Sequence, residues 1–151
     1  VRGGCGIIGD MVRQVQVAID CADPGLLARF WADLLGYQPE EPPSGYRSWA
    51  EFSRTVGGAG EEWHAVVDPD DVGPRLLFHR VPEAKVAKNR LHLDVRVGGV
   101  RGTPKQVRRP IVDAEVNRLL SRGARHVRTE DDETDYFAVM QDPEGNEFCV
   151  M

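Results

Sequence analysis

The chain's chemically distinctive side chains are few: four histidines, three cysteines and three tryptophans. His92 lies in LHLDVRV (91–97). There Leu91, Leu93, Val95 and Val97 face one way, and His92, Asp94 and Arg96 face the other. An imidazole with a carboxylate and a guanidinium on its own strand face suits a polar network lining a ligand cavity. His79 lies in a second strand-like piece, 75–81 (RLLFHRV). Trp49 and Trp63 fall in segments that read as strands, from which they would line a cavity and stack on a flat ligand. His64 and His126 read as exposed strand positions with no assigned role. Cys5, Cys21 and Cys149 share no zinc-type spacing, so they read as free thiols of a reducing, cytoplasmic compartment. Gly4 to Gly9 matches G-x-G-x-x-G, but no strand precedes it and a strand pattern follows, so the dinucleotide reading is set aside.

Composition narrows the setting of these residues. The 151 residues are 41% hydrophobic and 28% charged, as expected of a soluble globular domain. No apolar run is long enough to span a membrane. A net charge of −5 and a pI near 5.4 argue against a nucleic-acid surface. The basic stretch 101–109, with Arg101, Lys105, Arg108 and Arg109, reads as a solvated loop.

The elements that position these residues come in two sets. Segment 14–21 (QVQVAIDC) alternates, with Val15, Val17, Ile19 and Cys21 opposite Gln14, Gln16, Ala18 and Asp20. Asp23-Pro24 offers an N-cap and an N1 proline; Leu27, Phe30, Trp31, Leu34 and Leu35 follow at helical spacing, and Gly36 closes the helix. Strand-like pieces follow at 47–53, 63–68 and 75–81. The second set opens with 91–97. It continues with a long connection, 98–110, and a helix from about Pro110 to Gly123 carrying Val112, Val116, Leu119 and Leu120. Strands at 124–129, 136–141 and 146–151 close it. Gln16 and His92 are separated by nearly the same interval as Asp68-Pro69 and Asp142-Pro143. The chain therefore reads as β-α-β-β-β written twice, with the polar stretch 82–90 as the link. The expected organisation is a flexible extension over 1–11, with Met11 as a natural start, and one domain over 12–151. Module one spans 12–81 and module two 91–151.

Three stretches give this duplication a family likeness: IDCADPGLLARFWADLLGYQ (19–38), LLFHRVPEAKVAKNRLHLDVRV (76–97) and MQDPEGNEFCVM (140–151). The chain resembles the vicinal oxygen chelate superfamily of glyoxalases, bleomycin-resistance proteins and extradiol dioxygenases, and within it the glyoxalase-like domain group. The resemblance implies an α+β fold in which two tandem βαβββ modules form curled mixed sheets around a cavity. It also implies that polar side chains of the concave face point inward. In metal-dependent members four ligands come from the first and last strands of each module, and the metal acts as a Lewis acid on vicinal substrate oxygens.

Carried onto this chain, those positions are Gln16, His92 and Cys149, with the last-strand position of module one at Phe78 or His79, of which His79 can ligate. Gln16, His79, His92 and Cys149 are a mixed set for a divalent Zn, Ni, Mn or Fe ion. Cys149 stands where the family pattern places a catalytic Glu; Glu147 has the same parity two residues earlier. That argues against conventional glyoxalase I chemistry, which needs the carboxylate as a base. Two functions stay open: a protein that binds a small molecule in the inter-module cavity without a full metal site, and a divalent-metal-dependent lyase or dioxygenase. Cavity candidates are Gln16, Trp49, Trp63, His79, His92, Asp94 and Cys149. A homodimer is expected, with no nucleic-acid or membrane partner.

Overall fold

The computed structural model describes residues 14–56 and 62–151. The extension 1–11, with Cys5 and the Gly4–Gly9 motif, lies outside the described residues.

The first strand, β1 (Gln16–Cys21), runs into helix α1 (Pro24–Leu35). Asp23 caps α1 as its sequence predicts: the carboxylate accepts the Leu26 amide at 2.9 Å, and Gly36 closes the helix at φ +70°. One side of α1 buries Leu27, Ala28, Phe30, Trp31 and Leu34. Each large apolar side chain withdrawn from water contributes about 2 kcal/mol before chain entropy is counted. Two-residue β2 (Gln38–Pro39), helix α2 (Trp49–Thr55), β3 (Trp63–Val67) and β4 (Arg75–Arg80) complete the first set. The second set is β5 (Leu93–Val95), α3 (Lys105–Leu120), β6 (Arg125–Asp131), β7 (Tyr136–Gln141) and β8 (Glu147–Val150).

Two expectations fail here. Segment 47–53 is not a strand. Ser48 caps α2 by accepting the Glu51 amide at 3.1 Å, and Glu51 accepts the Arg47 amide at 2.8 Å. This Ser-x-x-Glu pattern is a helix-start signal that overrides the short apolar alternation around Trp49. Trp49 is therefore a helix residue, and the second strand of the first set is β2. Residues 105–109 are also not loop, because α3 begins five residues before Pro110 and carries that proline inside it. Lys105 pairs with Asp131, Arg109 with Asp131, and Arg108 with Asp135 at 3.6 Å and the Thr134 carbonyl. These contacts draw the basic stretch onto the β6–β7 hairpin and hold it helical, against the hydrogen bond that the proline cannot donate.

The strands form two four-stranded mixed sheets with matching order, β1-β4-β3-β2 and β5-β8-β7-β6. In each, the first strand runs parallel to the fourth and the other neighbours are antiparallel. The sheets are open and uncurled, with outer strands as short as β2 and β5. One core joins them. Phe30, Trp31 and Phe148 meet edge-on with ring centroids 5.2–5.9 Å apart, and Leu76, Phe78, Val112, Leu119, Met140 and Val150 are all buried around them. The Trp31 indole N–H donates to buried Asp142 at 3.2 Å. Asp142 also accepts the Glu144 and Asn146 amides at 3.0 and 2.9 Å, so the turn chemistry of this loop also fastens α1.

Candidate functional site

Equivalent rows cross the polar faces of the two sheets. In the first, Gln16 lies opposite Arg75, Ala18 opposite Leu77, and Asp20 opposite His79. In the second, Asp94 lies opposite Cys149, and the same register places His92 beside Glu147, while Leu93 and Phe148 pair on the core face. Matching Gln16 with His92, as the repeat does, makes Arg75 the counterpart of Glu147 and Leu77 the counterpart of Cys149.

The rows hold different chemistry. Arg75 donates to Gln16 Oε1 at 2.5 Å and to Glu40 Oε1 at 2.9 Å, a closed ionic cluster. Next along the face, His79 Nδ1 is 3.7 Å from an Asp20 carboxylate oxygen, and its ring stacks on Trp63 at 5.6 Å and 16°. Phe52 packs on Trp63, and Trp49 on Phe52, so α2 brings an aromatic wall to this face. In the second sheet His92 Nε2 lies 3.0 Å from Glu147 Oε2, and Lys88 Nζ lies 3.5 Å from the same oxygen. That oxygen is shut off from solvent, yet no donor meets it in line for a hydrogen bond. Asn89 Oδ1 accepts the Glu147 amide at 3.2 Å. Cys149 is buried opposite Asp94; burial first, then that carboxylate, pushes the thiol up to about 11.

His79, not Phe78, belongs to the polar face, since Phe78 is wholly buried on the core side. Gln16 and His79 do not come together. His79 is registered with Asp20, four residues along β1 from Gln16, a separation of about 13 Å at strand rise. His92 and Cys149 share a face in the other sheet, with Asp94 between them in register terms. Trp63 joins His79, and Trp49 reaches them only through Phe52. Among the described residues no three His, Cys, Asp or Glu side chains are grouped to hold a metal ion. The donors also fit a metal poorly. Leu77, in the register position matching Cys149, offers no ligand atom, and Cys149 puts a soft thiol where a hard divalent ion would want a carboxylate.

Between the modules lies a cleft of about 290 Å³, walled by Val17, Ile19, Leu91 and Leu93 with Trp31 behind them. Its polar lining is Asp20, Asn89, Asn146 and Glu147. Asp20, Asn89 and Asn146 also line an adjoining, open groove of about 750 Å³ that runs along 81–87. Sequence patterning did not single out Asn89 or Leu77, read Asn146 as a turn residue, and kept Glu147 only as an alternative to Cys149, two residues before the family's carboxylate position. The strand parity of Glu147 was the available signal; the β5–β8 register that sets it beside His92 was not.

These features belong to a known class. The family model described as "Glyoxalase-like domain" matches residues 16–151. The chain belongs to this family, and so to the vicinal oxygen chelate superfamily. Its sequence has no significant match among curated proteins. Among solved structures it is similar to a glyoxalase/bleomycin resistance protein/dioxygenase family enzyme from Burkholderia phytofirmans PsJN. There the TM-score is 0.60 at 15% identity, over 89% of this chain and 94% of that one. It is also similar to the fosfomycin resistance protein FosX from Mesorhizobium loti, with a TM-score of 0.57 at 8% identity over 91% and 89% of the two chains. TioX from Micromonospora sp. ML1 gives a TM-score of 0.52 at 14% identity over 92% and 97%. Likeness at these identities concerns the fold alone.

Proposed function

We propose that this protein binds a small molecule at the junction of its two modules and does so without a divalent metal. The observation that supports this reading is the pair Leu77 and Cys149. They occupy the matching last-strand positions of the two modules, and one is apolar while the other is a thiol, so neither is a carboxylate. A Lewis-acid mechanism needs charged or strongly donating ligands there. The cleft has the composition of a binding site instead, apolar walls with a few convergent polar groups. The same reading carries a cytoplasmic homodimer, consistent with buried thiols at Cys21 and Cys149.

The test is metal analysis of untagged protein before and after dialysis against added Zn²⁺, Mn²⁺ and Ni²⁺, followed by thermal shift with a panel of anionic, neutral and cationic compounds. Sub-stoichiometric metal together with a saturable shift for at least one compound is expected. Stoichiometric metal lost in His92→Ala would overturn the reading and favour the metal-dependent lyase or dioxygenase. So would a panel with no shift at all.

A further inference from the structure

The inter-module cleft carries a specific charge pattern. Its lining holds two carboxylates, Asp20 and Glu147, two side-chain amides, Asn89 and Asn146, and no basic side chain. The rest is apolar or aromatic, from Val17, Ile19, Leu91, Leu93 and Trp31. The Asp20 side chain is largely exposed, with the His79 imidazole 3.7 Å away. Glu147 is the opposite case: its side chain is only 13% exposed, and Oε2 is buried with no hydrogen bond. His92 and Lys88 stand near that oxygen without donating to it in line. Glu147 nevertheless lines the cleft, and a ligand N–H cation that meets its carboxylate there gains a charge-assisted hydrogen bond. Val17, Ile19 and Leu93 have core-side parity, while Asp20 and Glu147 belong to the polar rows, so the cleft lies where the two kinds of face meet between β1 and β5.

We infer that this seam takes a small organic cation, an amidinium or ammonium on a compact apolar body, with its N–H groups on Glu147 and Asp20 and its body between Val17, Ile19, Leu91 and Leu93. A bare metal ion does not suit a lining with so many apolar side chains. An anion would meet two carboxylates with no cation in the lining. This inference rests on the binding reading above and names the ligand class for that site.

Benzamidinium, benzamide and benzoate share one shape and differ in charge, so they form the test set. Trp31 lines the cleft, and its emission reports occupancy. Benzamidinium is expected to bind saturably, with benzamide at least about tenfold weaker, since a charge-assisted hydrogen bond is lost. Benzoate is expected not to bind. Glu147→Gln should weaken benzamidinium by about tenfold or more and leave benzamide unchanged, with Asp20→Asn as a second variant should the first fold poorly. Lys88→Ala, which removes a competing cation from an exposed position, should tighten benzamidinium a few-fold. Equal affinity for the three probes, no benzamidinium binding, or weaker benzamidinium binding in Lys88→Ala would overturn the inference. A thermal shift confined to anionic or neutral panel compounds would sink the cation alone and leave the binding reading standing.

Discussion

Replacing Asp142 by Ala isolates the contact that joins the closing turn to the first helix. Asp142 is fully buried. Its oxygens accept the Glu144 and Asn146 amides, the Asn146 side-chain amide at 2.9 and 3.2 Å, and the Trp31 indole N–H at 3.2 Å. Trp31 is only 2% exposed, so its N–H cannot turn to water once the carboxylate is gone. That orphaned donor costs about 1–3 kcal/mol. The turn donors sit on half-buried residues and can be hydrated, so they add roughly 1 kcal/mol in all. Against this, burial raises the Asp142 pKa despite the hydrogen bonds that lower it, so the ionised carboxylate is itself penalised in the fold. The net expectation is a loss of about 1–3 kcal/mol, or roughly 3–10 °C in Tm for a chain of this length.

The pH dependence supplies a signed check. A carboxyl whose folded pKa lies above its unfolded value binds more protons in the folded state between those two values. Wild-type stability then falls, relative to the Ala variant, as pH rises from the ordinary value of 3.8 through the raised one. The stability gap between the two proteins should be widest near the acid end and narrower at neutral pH. Urea unfolding followed by circular dichroism at several pH values measures it. A gap that widens toward neutral pH would show that the hydrogen bonds outweigh desolvation and would refute the reasoning, as would a gap below about 1 kcal/mol.

Two further outcomes are expected. Burial pushes Cys21 up to about 12 and Cys149 up to about 11, from 9.0, so iodoacetamide at pH 8 should leave both unmodified in the native protein and label them in urea. Rapid native labelling at either position, read by peptide mass spectrometry, would contradict the burial described here. Leu77→Glu combined with Cys149→Glu supplies carboxylates at both matching last-strand positions, diagonal to Gln16 and His92 on the same faces. Mn²⁺ or Ni²⁺ affinity by calorimetry should rise at least about tenfold over the parent, and no gain would refute the register equivalence of Leu77 and Cys149.

Patterning in the sequence made much of this architecture legible because strong local signals agreed with tertiary packing. The alternation in β1 and in β7–β8, the Asp23-Pro24 start of α1 with its Gly36 stop, and the Asp142–Asn146 turn all sit where their residues imply. It misled where two local signals competed. Around Trp49 the alternation lost to the Ser48–Glu51 cap, and at Pro110 a helix-start rule lost to ion pairs made with residues more than twenty positions away. Much of the site was hidden for a related reason. Parity placed His92, Asp94, Gln16 and His79 on polar faces, but which residue stands beside which is a matter of cross-strand register. That Arg75 meets Gln16, that Asp20 meets His79, and that Glu147 meets His92 follows from β1 pairing with β4 and β5 with β8, which side-chain alternation alone does not encode.

The ties between α1 and the last turn bear on how the chain acquires its shape during synthesis. Glu144 accepts the Ala22 and Asp23 amides at the very start of α1, across sequence separations of 122 and 121 residues, and Asp142 reaches Trp31 across 111. Phe148 completes the ring cluster begun by Phe30 and Trp31. A ribosome adds residues one at a time, so α1 can pack on β3 and β4 early, while the side of Phe30 and Trp31 that meets Phe148 stays uncovered until the segment from Asp142 to Phe148 has left the exit tunnel. Closing contacts of such span late makes maturation slow and leaves the nascent first half exposed to chaperones in the interval.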